Sequence, residues 1–303
     1  MTAGCLRLMQ RLAQQVWLAH RETVNSGATV GQLAWEWGSG RAARAASWRQ
    51  RVWLADGDPV AWGWVYPPEQ IRVSASEWAL SDTSLVWQVH PERTALLDDV
   101  LTWFDDQADG APQVTAARAG DVQALGRLRR RGYRHDPAAP WFRLNDRGLG
   151  ELALPGLPPG FRLVTGATAD PALAVAAHRA AWAPSAFTGG DLAEVRSIWP
   201  YRADLAAFVQ APGGQLAASA LAWYDEVAGT AELEPVGTDP AFRRLGLGRA
   251  VSLFALHQAR AAGATRAIVS CRGDDRYPVP GRLYRSLGFT ELSRDVVMRR
   301  RPG

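Results

Sequence analysis

Apolar residues recur along this 303-residue chain in two spacings, every third or fourth position and every second position, and the order in which the spacings alternate occurs twice. In the first half, helical spacing over 6–21 is followed by strand spacing over 51–55 and 60–66, with Asp56-Gly57-Asp58-Pro59 as the turn between them. A strand over 84–89 ends at His90-Pro91, and the pattern then gives a helix over 93–108, a strand over 113–117 and a helix over 121–131 stopped by Gly132. Tyr133 follows that glycine, and 141–144 would be the closing strand. In the second half, a helix over 170–182 precedes strands over 205–209 and 216–224, joined by Ala211-Pro212-Gly213-Gly214. A strand over 230–238 ends at Asp239-Pro240. It is followed by a helix over 249–263 ending on a glycine, a strand over 266–271, a helix over 280–287 stopped by Gly288, and a last strand from Phe289 to Met298.

Each half therefore reads helix, hairpin, strand, helix, strand, helix, strand, and the turns and helix stops correspond as well as the elements. This predicts an α/β architecture of α+β type: a mixed sheet with helices packed on it, built twice in tandem. Residues 148–160, with Pro155, Pro158 and Pro159 and no periodicity, read as a linker between a first domain at 1–147 and a second at 161–303.

Composition narrows the functional classes. The chain is 47% hydrophobic and 21% charged, ordinary for a water-soluble domain pair, and no apolar run approaches the roughly 18 residues of a membrane span. Residues 1–22 mix Arg, Gln and His with apolar residues rather than forming one apolar segment, so a cytoplasmic protein is expected. Cys5 and Cys271 are the only cysteines, too few for a disulfide framework or a multi-cysteine zinc site, and no metal is expected. All of the basic charge is Arg, and the net charge is +4. Its densest cluster, Arg127, Arg129, Arg130 and Arg131 on one predicted helix, reads as a solvated face, so neither a nucleic-acid nor a membrane partner is expected. Many of the tryptophans (35, 37, 48, 53, 62, 64, 78, 87 and 103) fall in the first half, as core or as the wall of a binding pocket.

The chemistry concentrates between the strand over 230–238 and the helix that follows. Arg243-Arg244-Leu245-Gly246-Leu247-Gly248-Arg249 leads into that helix. The first amides of a helix lack intrahelical partners, and the helix dipole adds partial positive charge there. Gly246 and Gly248 let an anion approach the backbone, and the arginines add bidentate donors. The loop has no Gly-Lys-Ser/Thr and lacks the third glycine of a dinucleotide fingerprint, because Val251 stands there. It resembles instead the Arg/Gln-x-x-Gly-x-Gly/Ala loop of the GNAT superfamily of acetyl-CoA-dependent N-acetyltransferases. Leu283-Tyr284-Arg285-Ser286-Leu287-Gly288-Phe289 is similar to that family's late Leu-Tyr-x-x-x-Gly-Phe segment and lies in the same order along the chain. The resemblance is clear over about residues 161–300 and extends to the first half only in outline.

The resemblance implies acetyl-CoA as co-substrate, its pyrophosphate on the amides of 244–249 and its pantetheine arm along Val236, Gly237 and Thr238, where an amide would also polarise the thioester carbonyl. It implies that Tyr284 protonates the departing thiolate, with a core aromatic as the alternative role. Glu232 and Glu234 lie two apart on one strand and so share a face, which raises the pKa of at least one of them. The first candidate for the base is Glu234, nearer the sheet opening, and Glu232 is the second; a water chain or a merely solvated strand face remains open. The family often has Asn where Tyr277 stands here, and Pro278 and Pro280 flank that position. Cys271 reads as a buried strand cysteine. The implied acceptor is a primary amine of a small molecule, such as a metabolite, aminosugar or antibiotic, taken by a monomer or homodimer. Protein acetylation and a non-catalytic acyl-CoA-binding scaffold are the alternatives.

The first half lacks these parts. After His90-Pro91 no Arg-x-x-Gly-x-Gly follows. The offset between halves grows from 149 residues at Pro91/Pro240 to 156 at Gly132/Gly288, a difference the size of the missing loop, and Leu128 replaces the tyrosine. It reads as a degenerate copy that does not bind CoA productively, with His20 standing where the second half has His178.

Overall fold

The computed structural model describes residues 3–24, 28–73, 76–80 and 82–301, without the side chains of 69–81, so that the side chain of Trp78 lies outside the described residues. The first half contains α1 (Ala3–Ala19), α2 (Val30–Arg44), β1 (Arg49–Ala55), β2 (Asp58–Tyr66), β3 (Glu69–Val73), β4 (Ser76–Leu80), β5 (Thr83–Val89), α3 (Leu97–Ala108), β6 (Gln113–Arg118), α4 (Val122–Arg130), β7 (Arg134–His135) and β8 (Phe142–Gly148). The second contains β9 (Arg162–Thr165), α5 (Pro171–Ala181), α6 (Gly189–Ser197), β10 (Ala206–Gln210), β11 (Leu216–Asp225), β12 (Thr230–Thr238), α7 (Leu247–Ala261), β13 (Arg266–Arg272), α8 (Val279–Ser286) and β14 (Thr290–Arg300).

The elements expected from the pattern are present within a few residues of their expected bounds. The helix expected over 93–108 begins as a 3-10 turn, Pro91–Leu96. The helices α2 and α6, the hairpin of β3 and β4, and strand β9 lie in stretches the pattern left unassigned. In α2 the reason is physical. Gly31, Gly38 and Gly40 lower its helix propensity, yet tertiary packing needs them small. A Cβ on Gly31 would lie 2.8 Å from Trp223 Cβ, and one on Gly38 would lie 2.8 Å from Val195 Cγ2. The helix thus trades local propensity for close contact with the second half.

Among the described residues, the halves form one mixed sheet of twelve strands in the order β1-β2-β5-β6-β14-β8-β13-β12-β11-β10-β9, with β7 paired to β14. The final strand of each half has crossed over. β8, from the first half, pairs antiparallel with β13 of the second, residue for residue from Phe142↔Arg272 to Gly148↔Arg266. β14, from the second half, pairs with β6 of the first from Asp295↔Arg118 to Arg300↔Gln113. The break in sequence expected at 147/148 therefore falls at the end of a strand embedded in the other half's sheet. Where β14 passes from β8 to β6, Arg118 and Asp295 form a buried ion pair at 3.0 Å.

Alternation along β2 assigns its two faces. Trp62, Trp64 and Tyr66 pack with Trp37, Trp48 and the apolar stripe of α1, while Ala61 and Val65 face α3 and α4. The first-half tryptophans 37, 48, 62 and 64 are therefore core. In the second half, α7 and α8 cover one face and α5, α6 and part of α2 cover the other. In the Arg cluster of 127–131, Arg127 and Arg131 meet Asp98 and Arg131 also meets Asp105, while Arg129 and Arg130 are exposed, as a solvated face requires. No helix among the described residues is long and apolar enough to cross a membrane.

Candidate functional site

β12 and β13 run parallel, and they pair only from Thr230↔Arg266 to Glu232↔Ile268. β12 then continues to Thr238, held on its other side by β11. Its last residues thus line a gap in the sheet, and the candidate groups gather around that gap.

On one side lies the loop before α7. Arg244 and Gly246 both adopt left-handed backbone, φ 69° and 76°, and Gly246 is the N-cap of α7. Alternating right- and left-handed residues turn successive amides toward one concavity, an arrangement suited to anions. The glycine cap supplies no side chain to satisfy the first helical amides, so these are left for a ligand. A Cβ on Gly246 would meet nothing within 4 Å, so the loop's rim is open. A Cβ on Gly248 would meet Thr238 Oγ1 at 3.2 Å and Leu283 Cδ2 at 3.8 Å, which brings the loop, the end of β12 and α8 to one place. Arg243, Arg244, Leu245 and Arg249 are exposed around it, whereas Leu247 is buried as the anchor.

Around the same gap are the titratable groups. Glu232 is buried; its Oε1 accepts from Thr29 Oγ1 at 2.7 Å, and its Oε2 from the Gln32 amide at 3.1 Å. Both donors belong to the N-terminus of α2, so this carboxylate joins the two halves. Burial raises its pKa to about 7 against those hydrogen bonds. The next in-facing carboxylate, Glu234, is raised further, to about 8, by burial and then by the negative charges of Glu232 and Glu36. A register shift between β11 and β12 falls beside Glu234, whose carbonyl accepts from Trp223 Nε1 at 2.6 Å. Glu36, on α2, accepts from Tyr66 OH at 3.0 Å. Tyr284 is buried, edge-on to Phe289, and its pKa lies well above 10 through burial, then the charge of Glu234, Cys271 and Tyr277. Glu234 and Tyr284 thus sense one another across the opening. Cys5 and Cys271 are free; burial pushes both thiols up, and Asn145 Nδ2 donates to Cys271 Sγ at 3.6 Å.

Above the end of β12 sits an aromatic cover. Gly237 lies directly beneath Trp182, leaving no room for a Cβ. His178 stacks on Trp182 at 4.6 Å and neighbours Phe187 and Trp35. Burial lowers its pKa to about 4, so it is neutral near pH 7. Trp35 belongs to the tryptophan set expected as core or pocket wall, whereas Glu36 and Thr29 were not anticipated for this site, because they lie on or just before the helix that the pattern missed. His20, the counterpart of His178 by sequence, is exposed and far from it in role.

The chain matches a known family and resembles known proteins. Residues 176–289 match the acetyltransferase (GNAT) family. A mycothiol acetyltransferase from Kineococcus radiotolerans is 33% identical over 205 residues, spanning 65% of this chain and 60% of the relative's length. A second, from Thermomonospora curvata, is 38% identical over 71 residues, 23% of each chain. The fold is similar to that of a GCN5-related N-acetyltransferase from Sphaerobacter thermophilus, with TM-score 0.63, 18% identity, and coverage of 100% of this chain and 95% of that one. It is also similar to a tandem GNAT protein from the clavulanic acid biosynthesis pathway, with TM-score 0.62, 14% identity, and coverage of 98% and 95%.

Proposed function

We propose, on the match of residues 176–289 to the acetyltransferase (GNAT) family, that the chain transfers an acetyl group from acetyl-CoA to a primary amine of a small molecule. The observation that carries this reading is the sheet gap beyond Glu232, bordered by the anion cradle at the start of α7, by Glu234 on β12 and by Tyr284 on α8, which packs on the same face as α7. The amides and arginines of 243–249 hold the pyrophosphate, and Val236, Gly237 and Thr238 line the arm. The acceptor enters between α2 and the aromatic cover. Glu36, Glu232 and Glu234 line that side with carboxyl groups able to share or take a proton, which favours an amine; the neutral His178 adds no opposing charge. The acetyl-transfer activity in the names of the curated relatives points the same way.

In the reaction the amine nitrogen attacks the thioester carbonyl carbon and the C–S bond breaks. Glu234 takes the amine proton, and Tyr284 gives its hydroxyl proton to the CoA thiolate. The two steps are coupled by charge. While Glu234 is ionised, it holds the proton on Tyr284. Once Glu234 is protonated by the amine, that repulsion ends and Tyr284 becomes a better acid at the moment the thiolate forms. Glu232, held by Thr29 and Gln32, is the positioning residue that fixes α2 and Glu36 over the site.

Acetyl-CoA should raise the melting temperature of the full chain. The expected stabilisation is about 2.7 kcal/mol at a hundredfold excess over Kd, a shift of several degrees. No shift at millimolar acetyl-CoA would refute the proposal. A shift without acetyl transfer to glucosamine, an α-amino amide or a diamine would favour a non-catalytic acyl-CoA-binding protein. Tyr284→Phe keeps the ring that packs on Phe289 and removes only the acid. It should lower kcat about 100-fold or more and leave acetyl-CoA affinity within about twofold, as ordinary mutational scatter allows. Parallel loss of both in steady-state and binding measurements would make the tyrosine structural.

A further inference from the structure

The start of α2, in the first half, presses on β12 of the second half at Glu232. A Cβ on Gly31 would lie 2.5 Å from Glu232 Oε2, so the carboxylate is fixed against the first turn of that helix. Thr29 and Glu232 are both buried. The Thr29 hydroxyl donates to Glu232 Oε1 at 2.7 Å, and the Gln32 amide donates to Oε2 at 3.1 Å. What favours the ionised carboxylate against burial is first this hydroxyl, then the amides of Gln32 and Gly31. The partial positive charge at the start of α2 acts in the same direction.

Glu234 lies two residues further on the same strand face, about 7 Å along at the rise of a strand. At that distance two like charges in a protein still shift each other's ionisation by about one pH unit or more. After burial itself, the charge of Glu232 is the next cause that holds a proton on Glu234. The other titratable groups around the pair are Glu36 of α2, which accepts from Tyr66 OH, Tyr284 of α8, the neutral His178 of α5 in the aromatic cover, and Asp225 of β11. Asp225 shares a small cavity with Glu232, accepts from Gln14 Nε2 at 2.6 Å and acts on Arg7 of α1.

We propose that Thr29 is a positioning residue for the second half's base: its hydroxyl keeps Glu232 ionised, and the charge of Glu232 keeps Glu234 a strong proton acceptor. The proposal rests on the reading of Glu234 as the base of acetyl transfer. Without the hydroxyl, Glu232 holds its proton to higher pH, the pair ionises in the reverse order, and Glu234 becomes a weaker base that is ionised over a wider range. Through one side chain the first half thus sets the proton affinity at the centre of the second.

NMR titration of the full chain with isotope-labelled glutamate carboxyl carbons reads both groups without turnover, and Glu232→Gln and Glu234→Gln assign the two signals. Thr29→Val keeps the branched side chain and removes the hydroxyl. In it the Glu234 midpoint should fall from about 8 by about one pH unit. The rising limb of kcat/KM should move by the same amount, and Thr29→Ser should restore both. A Glu234 midpoint that stays in place in Thr29→Val, or moves equally in Thr29→Ser, would overturn the proposal. So would a Thr29→Val enzyme that loses rate with its limb unmoved, the behaviour of a merely structural threonine. Where Thr29→Val does not fold, Glu232→Gln removes the charge directly and should lower the Glu234 midpoint by at least as much; an unmoved midpoint there is equally decisive against it. A midpoint that falls as expected in a protein that acetylates no amine would leave this coupling standing and sink the acetyl-transfer reading instead.

Discussion

Gly246→Glu should abolish acetyl-CoA binding while leaving a folded protein. Gly246 caps α7 with φ 76° and faces open space, so a glutamate side chain meets no neighbour in the fold. The cost to stability is the left-handed backbone alone, about 1–2 kcal/mol. The expected cost to binding is larger, because the new carboxylate would stand in the cradle proposed for the pyrophosphate. Losing two charge-assisted hydrogen bonds, at about 1.5–3 kcal/mol each, weakens binding by about 100-fold or more. Calorimetric titration with acetyl-CoA checks this, and circular dichroism checks the fold. Unchanged affinity would move the cofactor away from this loop.

Glu234→Gln carries the second large effect, about 100- to 10,000-fold in kcat/KM, the range of a general base. The sign of its pH dependence follows from the raised pKa of about 8. A base works ionised, so wild-type kcat/KM should rise with pH, tenfold per unit well below pH 8, and level off above it. Glutamine cannot take a proton, so the variant should lose that limb as well as the rate. A variant that stays within tenfold of wild type, with the limb intact, would assign the base to water or to Glu232. Amines of different basicity separate the limb of Glu234 from that of the acceptor, because only the latter moves with the substrate.

Much of this site could be read from the sequence, because its parts are local. A cradle is a run of consecutive amides and glycines, and Tyr284 sits at a fixed distance from the glycine that stops its helix. The acceptor side could not be read in the same way. Trp35 and Glu36 lie on a glycine-rich helix whose propensity argues against it, and it forms because Trp223 and Val195 press against those glycines. The pairing of Thr29 with Glu232 spans some two hundred positions, which no periodicity reports. The same holds for the crossed final strands. Local pattern gives a strand at 142–148 and another at 290–300 but is silent on which sheet each completes, because both neighbouring slots accept the same alternation.

Those crossed strands make the fold of each half depend on the other. β8 completes the sheet beside β13, the strand that borders the second half's gap. Deleting the first half would strip that strand away and leave an edge at the base of the cofactor cleft. β14 in turn fills the first half's sheet against β6. Each half therefore depends on the other for the strand that completes its sheet, and neither is a self-sufficient folding unit.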